Sequence, residues 1–187
     1  MSNKLSLLLL GQSQVGKTTL LFRMSNAELP TSINATIGVD FTRSTVYVNN
    51  EAYSVILWDT AGQEKYSKIS KNFLRKADGA IFVFDVTSRD SFDAIDKWIE
   101  SIEDVSFERK IPYIIIGNKT DRPDRMISRE EGQKYAQGKK SEYFECSGLM
   151  NSGDISKSLN RIVDLVIPTL NQFVEPLEPI TKKDKCC

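Results

Sequence analysis

A glycine-rich loop near the amino terminus contains residues suited to binding phosphate. It has the form GxxxxGK[ST], follows an apolar run and precedes a segment with helical periodicity, which is the context that this motif requires. Its glycines, Gly11 and Gly16, let the backbone curl round phosphates while N–H groups point inward. Lys17 would neutralise the β- and γ-phosphates, and the Thr18 hydroxyl would bind Mg²⁺. The other nucleotide contacts predicted here are at Ser13, Gln14, Val15 and Thr19.

The stretch 58–64 has residues that could sense a terminal phosphate and remove it. Asp59, Gly62 and Gln63 provide a metal-associated carboxylate, a flexible glycine and an amide that can orient water. Taken alone, Asp59 and Thr60 would be interpreted as a helix-capping pair, since both residue types favour that position. The phosphate loop upstream favours the metal role for Asp59 instead, because P-loop enzymes place a second metal-associated carboxylate at the end of a strand.

A third motif predicts which base the nucleotide carries. Asn118, Lys119 and Asp121 form an NKxD sequence after the apolar run 111–117. The Asp121 carboxylate can accept hydrogen bonds from both N1 and the 2-amino group of guanine. Adenine lacks that donor pair, so it would leave buried polar groups unpaired and be rejected. These residue types are common in turns, but after a strand and a phosphate loop the motif is specific.

The hydrophobic pattern predicts the elements that must position these motifs. Apolar runs alternate with segments of helical periodicity, which predicts an α/β fold with a mostly parallel sheet. Strands are predicted at 4–10, 39–48, 52–58, 79–85, 111–117 and 142–146. Helices are predicted at 17–25, 65–76, 91–105, 129–138 and 153–167, with Pro168 ending or kinking the last. Asn49 and Asn50, between two alternating runs, predict a hairpin and the one antiparallel pair.

Composition limits the classes to which the chain can belong. Its 187 residues, 40% hydrophobic and 27% charged, fit a single catalytic domain. With 25 basic and 25 acidic residues, no overall charge would attract it to nucleic acid. Three cysteines, two of them at the end, argue against a secreted disulfide framework and favour the cytosol. Ser2 excludes N-myristoylation, and the run 5–10 is too short to span a membrane.

With these motifs, three further groups of residues resemble the Rab family within the Ras superfamily of small GTPases. They are TIGVDF at 36–41, Trp58 immediately before DTAGQE, and DVTS at 85–88 with Ser91 and Phe92. The resemblance covers about residues 4–167 and the last two cysteines. It implies a P-loop small G domain at 1–170, with a six-stranded, mostly parallel sheet flanked by five helices. The remainder, 171–187, would be a disordered hypervariable tail.

The resemblance assigns roles within the site. Thr36 would join Thr18 and Asp59 at Mg²⁺ and contact the γ-phosphate, and Gly62 would belong to a second switch. The catalytic residues would be Gln63, Lys17 and Thr36. Since no arginine finger is evident in the chain, GTP hydrolysis would be slow without an activating protein. Effectors would contact Ile37, Gly38, Val39, Asp40, Phe41, Trp58 and Phe73. The aromatic members of this set could instead fill the core.

Three features depart from the family pattern. Leu29 stands where an aromatic side chain usually contacts guanine, and the lost contact, worth about 1 kcal/mol, predicts faster nucleotide release. Gln14 replaces a small residue beside the phosphates, which would affect hydrolysis more than binding. In the last guanine motif, the backbone N–H of Gly148 would contact guanine O6, while Leu149 would supply only apolar packing. The residues of that motif are Cys146, Ser147, Gly148 and Leu149.

Cys186 and Cys187 resemble the double-cysteine prenylation signal of the family. Two lipid chains suit stable anchoring, because one chain gives only marginal binding. Lysines at 182, 183 and 185 would add attraction to an anionic leaflet. An unmodified tail with free thiols is the alternative. The expected location is the cytoplasmic face of intracellular membranes, with cycling through the cytosol.

The resemblance implies a GTP/GDP switch in vesicle-mediated membrane transport. Expected partners are an exchange factor, a GTPase-activating protein, effectors, a prenylation escort and chaperones of the GDP-dissociation-inhibitor type. We expect a monomer that does not bind nucleic acid. One alternative is a non-catalytic GTP-binding adaptor in which Gln14 and Leu29 have weakened GTP hydrolysis or nucleotide retention. Another is a P-loop ATPase or nucleotide kinase, against which Asp121 argues.

Overall fold

Apolar and alternating runs form the strands of one sheet in the computed structural model, which describes residues 3–29, 40–60, 74–104, 110–151 and 154–171. The strands within those residues are β1 (Lys4–Leu10), β2 (Asp40–Val48), β3 (Glu51–Asp59), β4 (Gly79–Asp85), β5 (Tyr113–Asn118) and β6 (Glu142–Glu145). Their order across the sheet is β2-β3-β1-β4-β5-β6. Neighbouring strands are parallel except β2 and β3. The predicted mostly parallel sheet with one antiparallel strand is confirmed.

The antiparallel pair is closed by the two-residue turn predicted at Asn49 and Asn50. Val48 pairs with Glu51, and the two asparagines have φ angles of 50° and 65°. A hairpin turn with positive φ at both central residues matches the twist of the strands. Asparagine tolerates this backbone better than most residues do, so the local sequence is sufficient to specify the turn.

Helices connect the strands on both sides of the sheet. They are α1 (Lys17–Met24), α2 (Arg89–Asp93), α3 (Ile95–Glu103), α4 (Arg129–Gly138) and α5 (Asp154–Asn171). The segment predicted as one helix at 91–105 is two helices that meet at Ala94. Ser88 and Ser128 begin α2 and α4, and each hydroxyl accepts a hydrogen bond from a backbone N–H in the first turn. The helix predicted at 65–76 lies almost entirely outside the described residues.

Of the two outcomes predicted at Pro168, the end of the helix is wrong, because α5 continues to Asn171, and the kink stays a prediction. A proline inside a helix removes one backbone hydrogen bond. The buried side chains of Ile162 and Val166 hold this part of α5 against the sheet, and the Thr169 hydroxyl donates to the Val166 carbonyl at 2.7 Å. Burial of an apolar face supplies most of a helix's stability, so α5 tolerates the lost bond.

Two apolar cores lie on opposite faces of the sheet, one under α1 and α5 and the other under α3 and α4. Leu7 and Leu9 of β1 belong to the first core, and Leu8 and Leu10 belong to the second. Successive side chains of a strand point to opposite faces, so a central strand with both faces covered must be apolar throughout. This explains the continuous apolar run in β1.

The carboxyl ends of the parallel strands meet at one edge of the sheet, and each predicted motif follows one of them. The phosphate loop follows β1, Asp59 ends β3, Asn118 ends β5 and Cys146 follows β6. Ligands of open α/β sheets bind at this edge. None of the helices in the described ranges combines the length and the apolar character needed to cross a membrane.

Candidate nucleotide-binding site

The phosphate loop folds round its own lysine. Gly11 and Gly16 have φ angles of 153° and 94°, and a Cβ on Gly16 would collide with the Asn118 amide. The Lys17 ammonium donates to the carbonyls of Gly11 at 2.9 Å and Gln12 at 2.7 Å. Lys17 is only 3% exposed. A positive charge is therefore held in place at the N-terminus of α1, where phosphate is expected to bind.

Thr18 and Asp59 meet beside the start of α1. The Thr18 hydroxyl donates to the Asp59 carboxylate, and the Thr60 hydroxyl donates to the Leu9 carbonyl at 2.7 Å, which ties the end of β3 to β1. A hydroxyl and a carboxylate are oxygen ligands of the kind that Mg²⁺ takes together with phosphate oxygens and water. The pair fits Mg²⁺, and its metal role stays a prediction, as does that of Thr36.

Asn118 joins the phosphate loop to the loops predicted to bind the base. Its side chain is buried, its Nδ2 donates to the Val15 carbonyl at 2.8 Å, and its Oδ1 accepts from the Gly148 N–H at 3.1 Å. One amide thus holds three loops in a fixed arrangement. The Gly148 N–H predicted to contact guanine O6 contacts Asn118 in this structure, so guanine would share or replace that bond.

Asp121 is held against the loop that follows β6. Its Oδ1 accepts a hydrogen bond from the Ser147 hydroxyl at 2.5 Å, and Ser147 Oγ accepts one from the Met150 N–H at 3.0 Å. The Thr120 N–H donates to the Cys146 carbonyl at 3.3 Å. A carboxylate has about four acceptor positions, so Asp121 keeps capacity for the two donors of guanine.

Sequence reasoning used Asp85 only as part of the family resemblance and assigned no site role to it, although it orients the base loop. Its carboxylate forms an ion pair with Lys119 at 2.8 Å and accepts bonds from the N–H and hydroxyl of Thr87 at 2.9 Å and 2.7 Å. Burial acts to raise the pKa of Asp85, but the bonds from Lys119 and Thr87 outweigh it and hold the pKa below its ordinary value. The ionised carboxylate stabilises the fold above its unfolded-state pKa, and this contribution is lost as pH falls through the folded-state pKa. An acidic residue at the end of an apolar strand was the available signal.

Cys146 is a packed thiol. It is 1% exposed, and burial raises its pKa to about 12. The thiol therefore stays protonated at neutral pH, and a protonated thiol is a poor nucleophile. Its Sγ lies 3.9 Å from Asn118 Oδ1, so Cys146 packs beneath the base loops.

Two of the residues predicted to contact effectors form an aromatic pair. Phe41 of β2 lies opposite Trp58 of β3, and their ring centroids are 5.0 Å apart. Trp58 packs against the core under α3 and α4 and donates from Nε1 to Ser6 Oγ at 2.8 Å. Phe41 is 48% exposed. Trp58 thus fills part of the core, whereas Phe41 is exposed on the surface, and the role of both in effector binding stays a prediction.

The other predicted site residues differ in their exposure, and some lie outside the described ranges. In the phosphate loop and α1, Ser13 and Gln14 are exposed, Val15 is buried and Thr19 is half-buried. Leu149 is 69% exposed. Nine predicted residues lie outside the described part of the chain: Thr36, Ile37, Gly38, Val39, Gly62, Gln63, Phe73, Cys186 and Cys187.

The fold and the site define a P-loop nucleotide-binding α/β protein. Residues 6–167 match the model of the Ras family, and the chain belongs to this family. GTP-binding protein Rab-3D of Rattus norvegicus is 36% identical over 171 residues, which cover 91% of this chain and 77% of that protein. Ras-related protein Rab-15 of Homo sapiens is 38% identical over 172 residues, which cover 91% of this chain and 80% of that protein. Ras-related protein Rab-3C of Bos taurus is 35% identical over 176 residues, which cover 94% of this chain and 77% of that protein.

These relatives place the chain in the Rab branch, which confirms the resemblance drawn from its motifs. The chain is a Rab-like small GTPase, and the predicted fold class and enzyme class are both confirmed. The comparisons give no support to the alternative of a non-catalytic adaptor.

Gln14 has a backbone conformation that glycine adopts more easily. Its φ angle is 66°, and a left-handed conformation costs a residue with a Cβ about 1–2 kcal/mol. Glycine gives the unfolded chain about 0.4–1 kcal/mol of extra entropy, so Gln14→Gly is expected to raise the free energy of unfolding by up to about 1 kcal/mol. Urea denaturation measures the change. The neighbouring Gln12 has no positive φ and donates to the Asp90 carbonyl at 3.2 Å, so Gln12→Gly should lower that free energy. Equal losses in both variants would contradict the prediction.

Proposed function

We propose that the chain is a GTP/GDP switch that hydrolyses GTP and recruits effectors in vesicle-mediated membrane transport. The proposal rests on the convergence of three motifs at one edge of the sheet. Asn118 joins the phosphate loop to the base loops, and Thr18, next to Lys17, meets Asp59. A guanine nucleotide along this edge has its phosphates at the start of α1 and its base at the loops after β5 and β6.

In the proposed reaction, water attacks the γ-phosphorus and the bond to the β–γ bridging oxygen breaks. Gln63 orients the attacking water, and Lys17 with backbone N–H groups stabilises charge on the phosphate oxygens. Thr18, Thr36 and Asp59 would hold Mg²⁺, which would offset the charge of the phosphates. An arginine supplied by a GTPase-activating protein raises the rate of GTP hydrolysis by a factor of about 10³ to 10⁵.

The two switches respond to the γ-phosphate in this proposal. Thr36 and Gly62 are anchored only when GTP is bound, so hydrolysis frees both segments to rearrange. Effectors then distinguish the two states through a surface that includes Phe41 and Trp58. The remaining members of that surface are Ile37, Gly38, Val39, Asp40 and Phe73.

The cycle needs partners and a membrane anchor. We propose an exchange factor that replaces GDP, a GTPase-activating protein, a prenylation escort, and a chaperone of the GDP-dissociation-inhibitor type that shields the lipid. Residues 1–170 form the catalytic domain, and 171–187 form a tail that links it to the cytoplasmic face of an intracellular membrane. We propose a monomer, and the balanced charge argues against binding to nucleic acid.

Single-turnover hydrolysis tests the enzymatic part of the proposal. The full chain, loaded with GTP and Mg²⁺, is expected to release phosphate slowly. Gln63→Leu removes the amide that orients water, so its rate should fall at least about ten-fold. Gln133 is an exposed glutamine on α4, and Gln133→Leu should keep the wild-type rate. Absence of phosphate release from the wild type, even with an activating protein, would instead favour the adaptor.

The membrane part depends on Cys186 and Cys187. In this proposal each cysteine carries a geranylgeranyl chain. Two lipids give stable anchoring, whereas one gives only marginal binding. Imaging a tagged Gln63→Leu chain in cells should show organelle membranes. The same chain with Cys186→Ser and Cys187→Ser should be diffuse. A diffuse pattern for both chains would refute the anchoring role.

A further inference from the structure

The base loop after β6 packs directly on α1. Gly148 has no side chain, and a Cβ at that position would lie 2.9 Å from Thr19 Cγ2 and 3.5 Å from Leu20 Cδ2. A larger residue would therefore fit only if the Thr19 side chain or the loop shifted. The same helix begins at Lys17 in the phosphate loop. One rigid helix therefore contacts both ends of the proposed nucleotide site.

One turn beyond Thr19, the Arg23 side chain reaches back to this loop. Its Nε donates to the Gly148 carbonyl at 2.9 Å, and its Nη2 donates to the Leu149 carbonyl at 3.2 Å. The guanidinium carries its donors in a fixed planar fork, so two bonds to adjacent carbonyls define the orientation of the loop. Hydrogen bonds from a charged donor are also stronger than neutral ones.

The loop is also held from its inner side and by the Met150 N–H, which donates to Ser147 Oγ at 3.0 Å. The Leu149 side chain is 69% exposed, and the Met150 side chain is 69% exposed as well. On the inner side, the Gly148 N–H is bonded to Asn118 and the Ser147 hydroxyl to Asp121. Both inner contacts lie at the proposed base site itself. Arg23 instead binds the Gly148 and Leu149 carbonyls, which belong to the next two peptide groups along the loop.

We propose that Arg23 is a positioning residue for the guanine base. It acts through the Gly148 and Leu149 carbonyls and holds the Gly148 N–H where guanine O6 is expected. The inference rests on the proposed function, because it assigns a role within that nucleotide site. Arg23 belongs to neither the phosphate loop nor the NKxD motif, and no spacing rule pointed to it.

The role predicts a specific pattern of nucleotide release. GDP and GTP share the base and differ only at the γ-phosphate. Loss of base positioning should therefore speed release of both by the same factor, about ten-fold, and leave the ratio of GTP to GDP affinity unchanged. A change in α1 that disturbed the phosphate site would alter that ratio instead.

The test compares Arg23→Ala, Arg23→Lys and Arg129→Ala in the full chain. Release of fluorescent GDP and of a fluorescent non-hydrolysable GTP analogue is followed by stopped flow with Mg²⁺. Arg23→Ala should release both about ten times faster than the wild type, and Arg23→Lys, which keeps a charged donor, about three times faster. Arg129 is exposed at the start of α4, and Arg129→Ala should match the wild type.

Different outcomes separate the possible failures. Wild-type release rates in Arg23→Ala, or an altered ratio of GTP to GDP affinity, would overturn the positioning role while leaving the proposed function intact. A wild-type chain that binds neither nucleotide would overturn the proposed function itself. Should Arg23→Ala fail to fold, Arg23→Lys still decides, because release at the wild-type rate from that variant contradicts the inference.

Discussion

Asp121→Asn is expected to lower the affinity for GDP by at least about 100-fold and to raise the affinity for xanthosine diphosphate. The Asp121 carboxylate accepts bonds from N1 and the 2-amino group of guanine, whereas a carboxamide replaces one acceptor by a donor. That donor faces the 2-amino group of guanine unfavourably but suits the 2-oxo group of xanthine. Factors of this size are usual where a site's hydrogen-bond pattern no longer matches its ligand.

Asp121→Asn should test the base assignment without disturbing the loop. Asp121 Oδ1 accepts from Ser147 at 2.5 Å, and the carbonyl oxygen of asparagine can accept the same bond, so the loop should keep its form. Competition of GDP and xanthosine diphosphate for the purified variant measures the exchange of preference. Asp124 lies in the same loop and pairs with Arg122 at 2.7 Å on the surface, so Asp124→Asn should leave both affinities unchanged. GDP affinity within about three-fold of wild type in Asp121→Asn would contradict the base assignment.

Lys17→Ala is expected to have a comparable effect on the phosphate side of the site. The change removes a nearly buried positive charge from the loop that should receive the β- and γ-phosphates. Loss of a charge-assisted contact in a desolvated site commonly costs about 3 kcal/mol or more, which is about 100-fold in affinity. The loss should be much smaller for GMP, since Lys17 is not expected to contact its single phosphate.

Calorimetric titration with GTP, GDP and GMP measures this pattern. Lys157→Ala provides the control, because Lys157 is an exposed lysine of α5 that forms a surface pair with Asp154. Circular dichroism without nucleotide shows whether the Lys17 variant keeps its fold. Equal losses for GDP and GMP would mean that Lys17 acts on the loop as a whole and not on the distal phosphates.

Much of the fold was predictable because it depends on residues that are close in the chain. The apolar run of β1, the Asn49 and Asn50 turn and the loop ending in Lys17 each carry their conformational preference within a few residues. The division at Ala94 was not predictable in this way. Ser91 in α2 bonds to the Asp85 N–H at 3.0 Å and so ties that short helix to the end of β4. A contact of this kind leaves no periodicity in the sequence.

Pro168 is a position where a local rule predicted the end of a helix that the structure continues. A local rule stops a helix before proline, yet α5 continues because Ile162 and Val166 are buried against the sheet. The strength of that burial depends on where the sheet lies. A local preference of a few kcal/mol is therefore overridden by packing that only the assembled core provides.

By itself, the sequence determined the fold class and predicted the chemistry of three motifs, because phosphate, metal and base contacts each need particular residue types at short spacing. Only the tertiary structure decided how those motifs are held together. Asn118 bonds to Val15 across 103 positions of the chain, and Arg23 bonds to Gly148 across 125. Such contacts arise when β1, β5 and β6 bring their carboxyl ends to one edge, which depends on the order of strands in the sheet and not on any local pattern.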